Sequence, residues 1–332
     1  MDRSGASATR SADRPRVSVV LPVYNGAHCV QRAVRSIQSQ TFQDWELVIC
    51  DDGSRDDSLR ICRALEAEDP RIRVMANPEN KGIAATLNRL VAEARGDFYA
   101  IQEQDDSSVP ERLEWEVAEL DRHPEAGVVS GVAAWLGDDQ KVFTHFPWFL
   151  KQGQPYPDVR KELIEFLYVQ QSKIVNAASM MRMSLVREAG LRYDEGARMS
   201  IDFQFFVDAA HRTMVVGVPR VLVFMARGLH RESMTRHKEL QFREARRCVR
   251  ILFKRYRRDP TSPIRRSLYR KAMAYQLRIE ARYHGRIRGA VRLAGSLLLD
   301  PRDRNSWKTV EEFWEHLRRR LIASAAPSSR EG

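Results

Sequence analysis

Apolar runs of strand length alternate with helical patterns between residues 17 and 102. The runs at 17–25, 45–50, 72–75 and 97–102 predict four β-strands, and amphipathic helical segments separate them. Strict alternation of this kind implies right-handed crossover connections, which place the strands parallel to one another. We therefore predict an α/β fold with a mainly parallel sheet flanked by helices.

Polar side chains follow three of these predicted strands. The carboxyl ends of parallel strands meet at one edge of a sheet, and ligands bind in the crevice outside that edge. The polar residues at the carboxyl ends of the first, second and fourth strand runs, or directly after them, are therefore expected to line a single crevice. They are Tyr24, Asn25, Asp51, Asp52, Glu103 and Asp105.

Three carboxylates, Glu103, Asp105 and Asp106, are concentrated after the fourth strand. Ser108 and Glu111 have capping-box spacing, which predicts that a helix begins there. Carboxylate oxygens are the ligands that Mg²⁺ and similar cations prefer, and phosphates complete such sites. The cluster thus predicts a divalent metal and, through it, a diphosphate. The alternative is an acidic turn whose carboxylates only cap the next helix.

Five short motifs occur in the order and spacing of a known family. Together they resemble the family-2 glycosyltransferases, which have the Rossmann-like GT-A fold, over about residues 16–135, with a weaker match to about 236. Each motif alone is a poor signal, but the ordered set is specific. The motifs are LPVYNG (21–26), QSQTF (38–42), DDGSRD (51–56), NKGIA (80–84) and EQDD (103–106) before PERL (110–113).

The resemblance implies a role for each matching position. It assigns Pro22, Tyr24 and Asn25 to the nucleotide base and ribose, and Asp51 or Asp52 to the edge of the base. Lys81 would approach the base or ribose. Glu103, Gln104 and Asp105 occupy the position of the family's Asp-x-Asp motif, which binds the ribose and the metal-bridged diphosphate. The chain departs from that motif at Glu103, where aspartate is usual.

The same resemblance implies a base and a further metal ligand. Inverting transfer of a sugar needs a base that takes the acceptor's proton. Asp202 occupies the corresponding place, although Ile201 stands where the family usually has glutamate. A helix-starting carboxylate stabilised by the helix dipole is the alternative for Asp202. Asp208, further along the same predicted helix, is interpreted as a solvated helix residue. His230 matches a position near the diphosphate and is a candidate metal ligand, although a lone histidine is more often structural.

The apolar runs, the N-terminal segment and the cysteines indicate the class of protein and its compartment. No apolar run among the 332 residues approaches the about 20 that a membrane-spanning helix needs. Residues 1–15 lack an apolar core and are predicted to be a disordered leader. The four cysteines have no metal-ligand spacing, so we predict reduced, buried thiols in a cytoplasmic protein.

The basic charge is concentrated in the C-terminal part. The net charge is +11, and residues 236–320 hold 25 lysines and arginines against 9 aspartates and glutamates. Helical patterns cover about 246–258, 263–299 and 306–322. We predict a basic helical region over 237–325, after a glycosyltransferase domain over 16–236. An apolar stripe of Val249, Leu252, Phe253 and Tyr256 either faces a core or rests on anionic lipid at the inner membrane face.

Two functions of different classes remain. The first is an inverting hexosyltransferase that uses a nucleotide-sugar donor, Mn²⁺ or Mg²⁺, and a glycan or lipid-linked acceptor in polysaccharide, glycolipid or cell-envelope synthesis. The second is a nucleotide- or nucleic-acid-binding protein that acts through its basic helices, but no known nucleic-acid-binding motif accompanies them. A dinucleotide oxidoreductase is disfavoured because no glycine-rich phosphate loop follows the first strand.

Overall fold

The structure is a computed structural model, and it describes residues 14–171, 173–226, 238–283, 286–312 and 315. The chain forms two compact units, of which one comprises Met1–Leu167 with Ser172–Arg236 and the other Tyr168–Gln171 with His237–Gly332. The assignment of functional domains to 16–236 and 237–325 stays a prediction. Residues 1–13 of the predicted leader lie outside the described ranges.

Strands and helices alternate in chain order from the beginning of the first unit. The described elements are β1 (Val17–Val23), α1 (Val30–Gln38), β2 (Trp45–Asp51), α2 (Ser58–Glu68), β3 (Ile72–Ala76), α3 (Ile83–Glu93), β4 (Phe98–Ile101), β5 (Asp106–Ser108), α4 (Arg112–Arg122), β6 (Ala126–Leu136), β7 (Val142–Phe146), α5 (Trp148–Lys151), α6 (Arg160–Gln170), β8 (Ser179–Arg182), α7 (Met183–Ala189), α8 (Ile201–Ala210), β9 (Met214–Ala226), α9 (Lys238–Tyr256), α10 (Arg266–Ala281) and α11 (Arg286–Leu299).

The first four strands form the predicted parallel sheet. They lie in the order β3-β2-β1-β4, and every neighbouring pair is parallel. The helix α1 buries the four residues that its periodicity selects, Val30, Ala33, Val34 and Ile37. The strand β2 is buried at all seven positions, as expected for a strand covered on both faces. The polar residues that follow β1, β2 and β4 therefore emerge at one edge.

The sheet is mixed beyond β4. Its order continues β8-β6-β9-β5, with β7 paired to β6. The strand β8 is antiparallel to both β4 and β6, whereas β6 and β9 are parallel. The nine-stranded sheet and its flanking helices form the α/β fold that the sequence predicts, but the parallel arrangement is confined to part of it.

The predicted start of the helix after the acidic cluster is wrong. Asp106–Ser108 forms β5, which pairs with β9, and helix α4 begins only at Arg112. The hydroxyl of Ser108 donates to Gln102 Oε1 at 2.7 Å instead of capping a helix. Pairing with a strand more than a hundred residues away outweighs the local capping signal, because it satisfies several backbone groups at once.

The second unit contains helices α9, α10 and α11, and the predicted stretch 263–299 is divided between the last two. Val249 and Leu252 are fully buried, and Phe253 packs against Tyr269 with ring centroids 4.5 Å apart. The apolar stripe of α9 therefore faces the core of this unit, and its alternative role as a lipid-contacting face is wrong. No described helix is long and apolar enough to cross a membrane. All four cysteines are free and buried, as predicted.

Candidate active site

Hydrogen bonds tie together the loops that follow β1, β2 and β4. The amide of Tyr24 donates to Gln104 Oε1 at 2.9 Å, and Gln104 Nε2 donates to the Tyr24 carbonyl at 3.1 Å. The amide of Asn25 donates to Ser54 Oγ, and Asn25 Oδ1 accepts from the amide of Arg55. The predicted convergence of the three loops is therefore present, and the side chains of Gln104 and Asn25 hold it.

A cavity of about 460 Å³ opens beside the loop after β2. This volume is in the range of small-molecule sites. The Asp51 carboxylate accepts from the amide of Ser54 at 3.0 Å, while its second oxygen is buried without a hydrogen-bond partner among the described residues. The lining combines peptide, hydroxyl and charged groups; it consists of Tyr24, Asp51, Gly53, Ser54, Arg55, Leu59, Asn77, Pro78, Glu79 and Asn80.

Asp52, the residue after Asp51, is not part of the cavity lining, and its carboxylate accepts hydrogen bonds from the protein's own 77–82 loop. Its Oδ1 accepts from Asn77 Nδ2 at 2.6 Å and from the amide of Lys81 at 2.9 Å, and its Oδ2 accepts from the amide of Gly82. A buried carboxylate with three donors is a stable anchor for a loop. The structure thus separates the two aspartates, because Asp51 lines the cavity whereas Asp52 shapes the 77–82 loop.

Two other predicted nucleotide-binding residues occupy different environments. Pro22 is a half-buried residue of β1 and lies opposite Cys50 of β2. The side chain of Lys81 is exposed, while its backbone amide is held by Asp52. Neither residue belongs to the cavity lining.

The acidic cluster after β4 offers a set of oxygen donors for a divalent cation. Glu103, Asp105 and Asp106 each offer a carboxylate oxygen, and these oxygens lie within 4.8 Å of one another. Hard cations such as Mg²⁺ and Mn²⁺ prefer oxygen ligands of this kind. Arg32 Nη2 donates to the Asp105 carbonyl at 2.8 Å and holds the loop from the α1 side. The residues present therefore fit a divalent metal, with Glu103 in place of the usual aspartate.

Asp202 is the second residue of α8, and the residue before this helix, Ser200, has a left-handed backbone with φ of +58°. Burial raises the pKa of the nearby Tyr193 hydroxyl above its usual range, and the negative charge of Asp202 adds to that rise. Asp202 is not a member of the acidic cluster after β4.

Asp208, six residues after Asp202, is only 8% exposed, so its sequence-based interpretation as a solvated helix residue is wrong. His230 lies outside the described residues.

The cavity includes residues that the sequence does not single out. Arg55, Asn77 and Glu79 all line it, yet the family resemblance assigns a ligand contact to none of the three. Asn77 and Glu79 follow β3, an early strand whose carboxyl end is absent from the predicted crevice. The rule that ligands lie beyond the carboxyl ends of parallel strands would have selected this segment.

Comparison with known proteins gives a matching family and several sequence relatives. The family model described as "Glycosyl transferase family 2" matches residues 18–188, about half of the chain. The putative glycosyltransferase EpsE of Bacillus subtilis is 42% identical over 116 residues, which are 35% of this chain and 42% of EpsE. The Escherichia coli protein WfgD, a "UDP-Glc:alpha-D-GlcNAc-diphosphoundecaprenol beta-1,3-glucosyltransferase", is 34% identical over 102 residues. These are 31% of this chain and 40% of WfgD.

A solved structure extends the likeness to most of the chain. The mannosyltransferase PcManGT of Pyrobaculum calidifontis, in complex with GDP-Man and Mn²⁺, has a TM-score of 0.56 and 18% identity. The match covers 91% of this chain and 85% of PcManGT. Similarity at this level of identity concerns the fold. By contrast, the chain spans less than half the length of the two sequence relatives.

We predict that Gly53→Ala lowers the free energy of unfolding more than a matched glycine substitution away from the cavity. Gly53 has φ of +71°, and a Cβ there would lie 2.6 Å from the Glu79 carbonyl carbon and 2.8 Å from the Asn80 nitrogen. Gly153→Ala is the control, since its φ is +78° but nothing lies within 4 Å of the added carbon. The control is expected to lose about 1 kcal/mol of unfolding free energy from backbone strain alone.

Denaturant unfolding gives the free energy of unfolding of both variants. Gly53→Ala should lose clearly more than Gly153→Ala, because the 53 and 79–80 backbones must also separate. Amide exchange in the 77–82 segment should accelerate only in Gly53→Ala. Equal losses of unfolding free energy in the two variants, with unchanged amide exchange in 77–82, would show that the close contact between the 53 and 79–80 backbones does not affect stability.

Proposed function

The chain belongs to glycosyl transferase family 2 and has the GT-A fold, and on this basis we propose that it is an inverting hexosyltransferase. It would move a sugar from a nucleotide-diphosphate donor to a hydroxyl group. The observation that carries the proposal is the pairing of a cavity after β2 with an acidic cluster after β4, on loops that hydrogen bonds join. One side can hold a nucleoside, and the other can hold a diphosphate through a cation.

We assign the cavity to the nucleoside of the donor. The Asp51 carboxylate accepts an N–H of the base, which suits the imide of uracil, and the half-exposed Tyr24 ring packs against the base. Asn25, Pro22 and Lys81 complete the base and ribose side, while Asp52 shapes the loop around them. UDP is the proposed nucleotide, and the donor named for the relative WfgD supports this choice.

Glu103, Asp105 and Asp106 are the proposed metal ligands, with Glu103 and Gln104 also close to the ribose. Mn²⁺ or Mg²⁺ held there supplies positive charge for the diphosphate that leaves the sugar. These carboxylates otherwise repel a diphosphate, so a cation between them explains why an acidic loop belongs in the site. His230 as a further ligand stays a prediction from the family resemblance.

Asp202 is the proposed general base. The acceptor hydroxyl oxygen forms the new bond to the anomeric carbon while the bond from that carbon to the diphosphate oxygen breaks. The hydroxyl proton passes to the Asp202 carboxylate, and the bonding electron pair leaves with the nucleotide diphosphate. Attack from the face opposite the leaving group inverts the anomeric configuration. Asp202 lies in the first turn of α8, where the helix dipole favours a negatively charged side chain.

We further propose that the second unit rests on an anionic bilayer at the cytoplasmic face. Val291 and Leu298 lie seven residues apart on α11, hence on one face, and are 63% and 78% exposed. Exposed Arg288 flanks them, and Arg270 donates to the carbonyl of Leu299 at the end of the helix. Apolar residues among cations suit a surface of anionic lipid. A lipid-linked acceptor in glycolipid or cell-envelope glycan synthesis would place the acceptor at that surface, as the name of WfgD suggests.

We predict that Asp105→Asn abolishes the joint binding of UDP and Mn²⁺. Loss of one carboxylate weakens the cation site, and the diphosphate then lacks its counter-charge. Thermal shift with UDP, with Mn²⁺ and with both measures the effect, and donor hydrolysis gives a second readout. The control Asp139→Asn removes an exposed carboxylate and should behave like the unaltered protein.

The same measurements on the unaltered protein distinguish the glycosyltransferase from the nucleic-acid-binding alternative. Stabilisation that needs both UDP and Mn²⁺, together with metal-dependent hydrolysis of a UDP-sugar, supports the transferase. A shift with duplex DNA and none with UDP and Mn²⁺ would favour the nucleic-acid-binding alternative. If Asp105→Asn binds UDP and Mn²⁺ as well as the control does, Asp105 is not a ligand.

We predict that Asp202→Asn lowers transfer about 10²- to 10⁴-fold while donor affinity and melting temperature stay unchanged. The amide keeps the shape and can still hydrogen-bond, but it has no useful basicity. Asp57→Asn is the control, because Asp57 is the residue directly before helix α2 of the same unit. Near-normal transfer by Asp202→Asn would assign this residue a helix-capping role only.

We predict that the double substitution Val291→Ser and Leu298→Ser weakens binding to phosphatidylglycerol vesicles. The control Val142→Ser with Phe143→Ser removes two exposed apolar residues from the first unit and should leave vesicle binding unchanged. Binding of the unaltered protein should fall with added salt and be weak on phosphatidylcholine. Equal vesicle binding by both double variants would exclude the α11 face.

A further inference from the structure

The fully buried side chain of Gln102 contacts both ends of the acidic loop. Its Nε2 donates to the carbonyls of Glu103 and Asp106, each at 3.0 Å. One amide group thereby closes the loop from beneath. The loop also has a turn of its own, in which the Asp106 amide donates to the Glu103 carbonyl at 3.3 Å.

Two donors fix the direction in which this amide points. Ser108 Oγ donates to Gln102 Oε1 at 2.7 Å, and Arg112 Nη1 donates to the same oxygen at 3.3 Å. A flipped amide would place its NH₂ group against these donors and its oxygen against the two carbonyls. The observed orientation is thus the one that the surrounding hydrogen bonds permit.

Arg112 is itself held on every side in the interior. Its guanidinium donates to the carbonyls of Ile101 at 2.9 Å and Ser179 at 3.4 Å, and its Nε donates to Glu116 Oε2 at 3.1 Å. Both members of the Arg112–Glu116 pair are fully buried. Burial raises the pKa of the Glu116 carboxyl to about 7, and Arg112 opposes that rise. Few hydrogen-bonding arrangements are open to a guanidinium enclosed in this way.

We propose that Gln102, Arg112 and Glu116, here called the loop clamp, are positioning residues that hold the acidic loop in a cation-binding conformation. The proposal rests on the metal role given to Glu103, Asp105 and Asp106. The clamp touches the loop only through backbone carbonyls, so it sets the position of the three carboxylates without ligating anything itself.

The physical reason is repulsion among the carboxylates. Three negative groups with oxygens within 4.8 Å of one another repel, and a free loop would relax by moving them apart. A backbone fixed at both ends resists that movement. The ordering cost is then met during folding instead of during binding, which raises the affinity for the cation.

Two variants test the clamp without removing any carboxylate of the loop. Gln102→Met keeps the approximate length of the side chain but removes both donors to the loop. Arg112→Met combined with Glu116→Leu removes both buried charges together, so neither is left without its counter-ion. Arg182→Met is the control, because Arg182 donates to the carbonyls of Ala126, Leu120 and His123, away from the loop.

The measurements use the full chain and need no activity. Electron paramagnetic resonance of free Mn²⁺ gives the metal affinity, hydrogen exchange reports on peptide 102–108, and the melting temperature reports on the fold. We expect both clamp variants to bind Mn²⁺ about tenfold more weakly and to exchange faster in that peptide. The control should lower the melting temperature while leaving metal affinity and exchange unchanged. Should the paired variant not fold, Gln102→Met alone decides the question.

Each failure has its own signature. If the unaltered protein binds Mn²⁺ and loses it in Asp105→Asn, the metal site stands. Clamp variants that then keep Mn²⁺ affinity within twofold, with unchanged exchange, would overturn the clamp alone. An unaltered protein that binds no Mn²⁺, with or without UDP, would overturn the metal site and the clamp together.

Discussion

The buried guanidinium of Arg112 is the constraint on which the site edge of the sheet depends. It joins β4 through Ile101 and β8 through Ser179, and it reaches Gln102 and Ser108 on either side of the acidic loop. Strand β4 belongs to the parallel part of the sheet, whereas β8 begins the mixed part. A charged group without water must satisfy its donors within the protein, so these elements can meet in few ways.

Two carboxylate-bearing loops at the same edge are shaped for different tasks. After β2, Asp51 lines the cavity, whereas the Asp52 carboxylate accepts hydrogen bonds from the 77–82 loop. After β4, three carboxylates converge and their backbone is held from the interior. A nucleotide-diphosphate donor needs both environments, since its base is neutral and hydrogen-bonding while its diphosphate is strongly anionic. The charge is therefore divided between two loops, and Gln104 and Asn25 join these loops through the loop after β1.

Much of the first unit could be predicted because its signals are local. The four buried positions of α1 follow from helical periodicity, and the parallel order of the early strands follows from their alternation with helices. The failures have a common cause. Local signals predict a helix cap at Ser108 and a solvated side chain at Asp208, but Ser108 lies in β5 and Asp208 is buried. In both cases distant parts of the chain determine the environment, and no short window of sequence contains them.

The sequence by itself determined the family, the α/β class and the acidic loop, because motif order, strand–helix alternation and charge are properties of neighbouring residues. Only the tertiary structure decided that Asp51 lines the cavity while Asp52 anchors a loop, since adjacent aspartates look alike until their donors are known. It also decided that Val249 and Leu252 of α9 are buried, whereas Val291 and Leu298 of α11 are exposed. Amphipathic patterns mark a face for burial, but packing selects which face is covered.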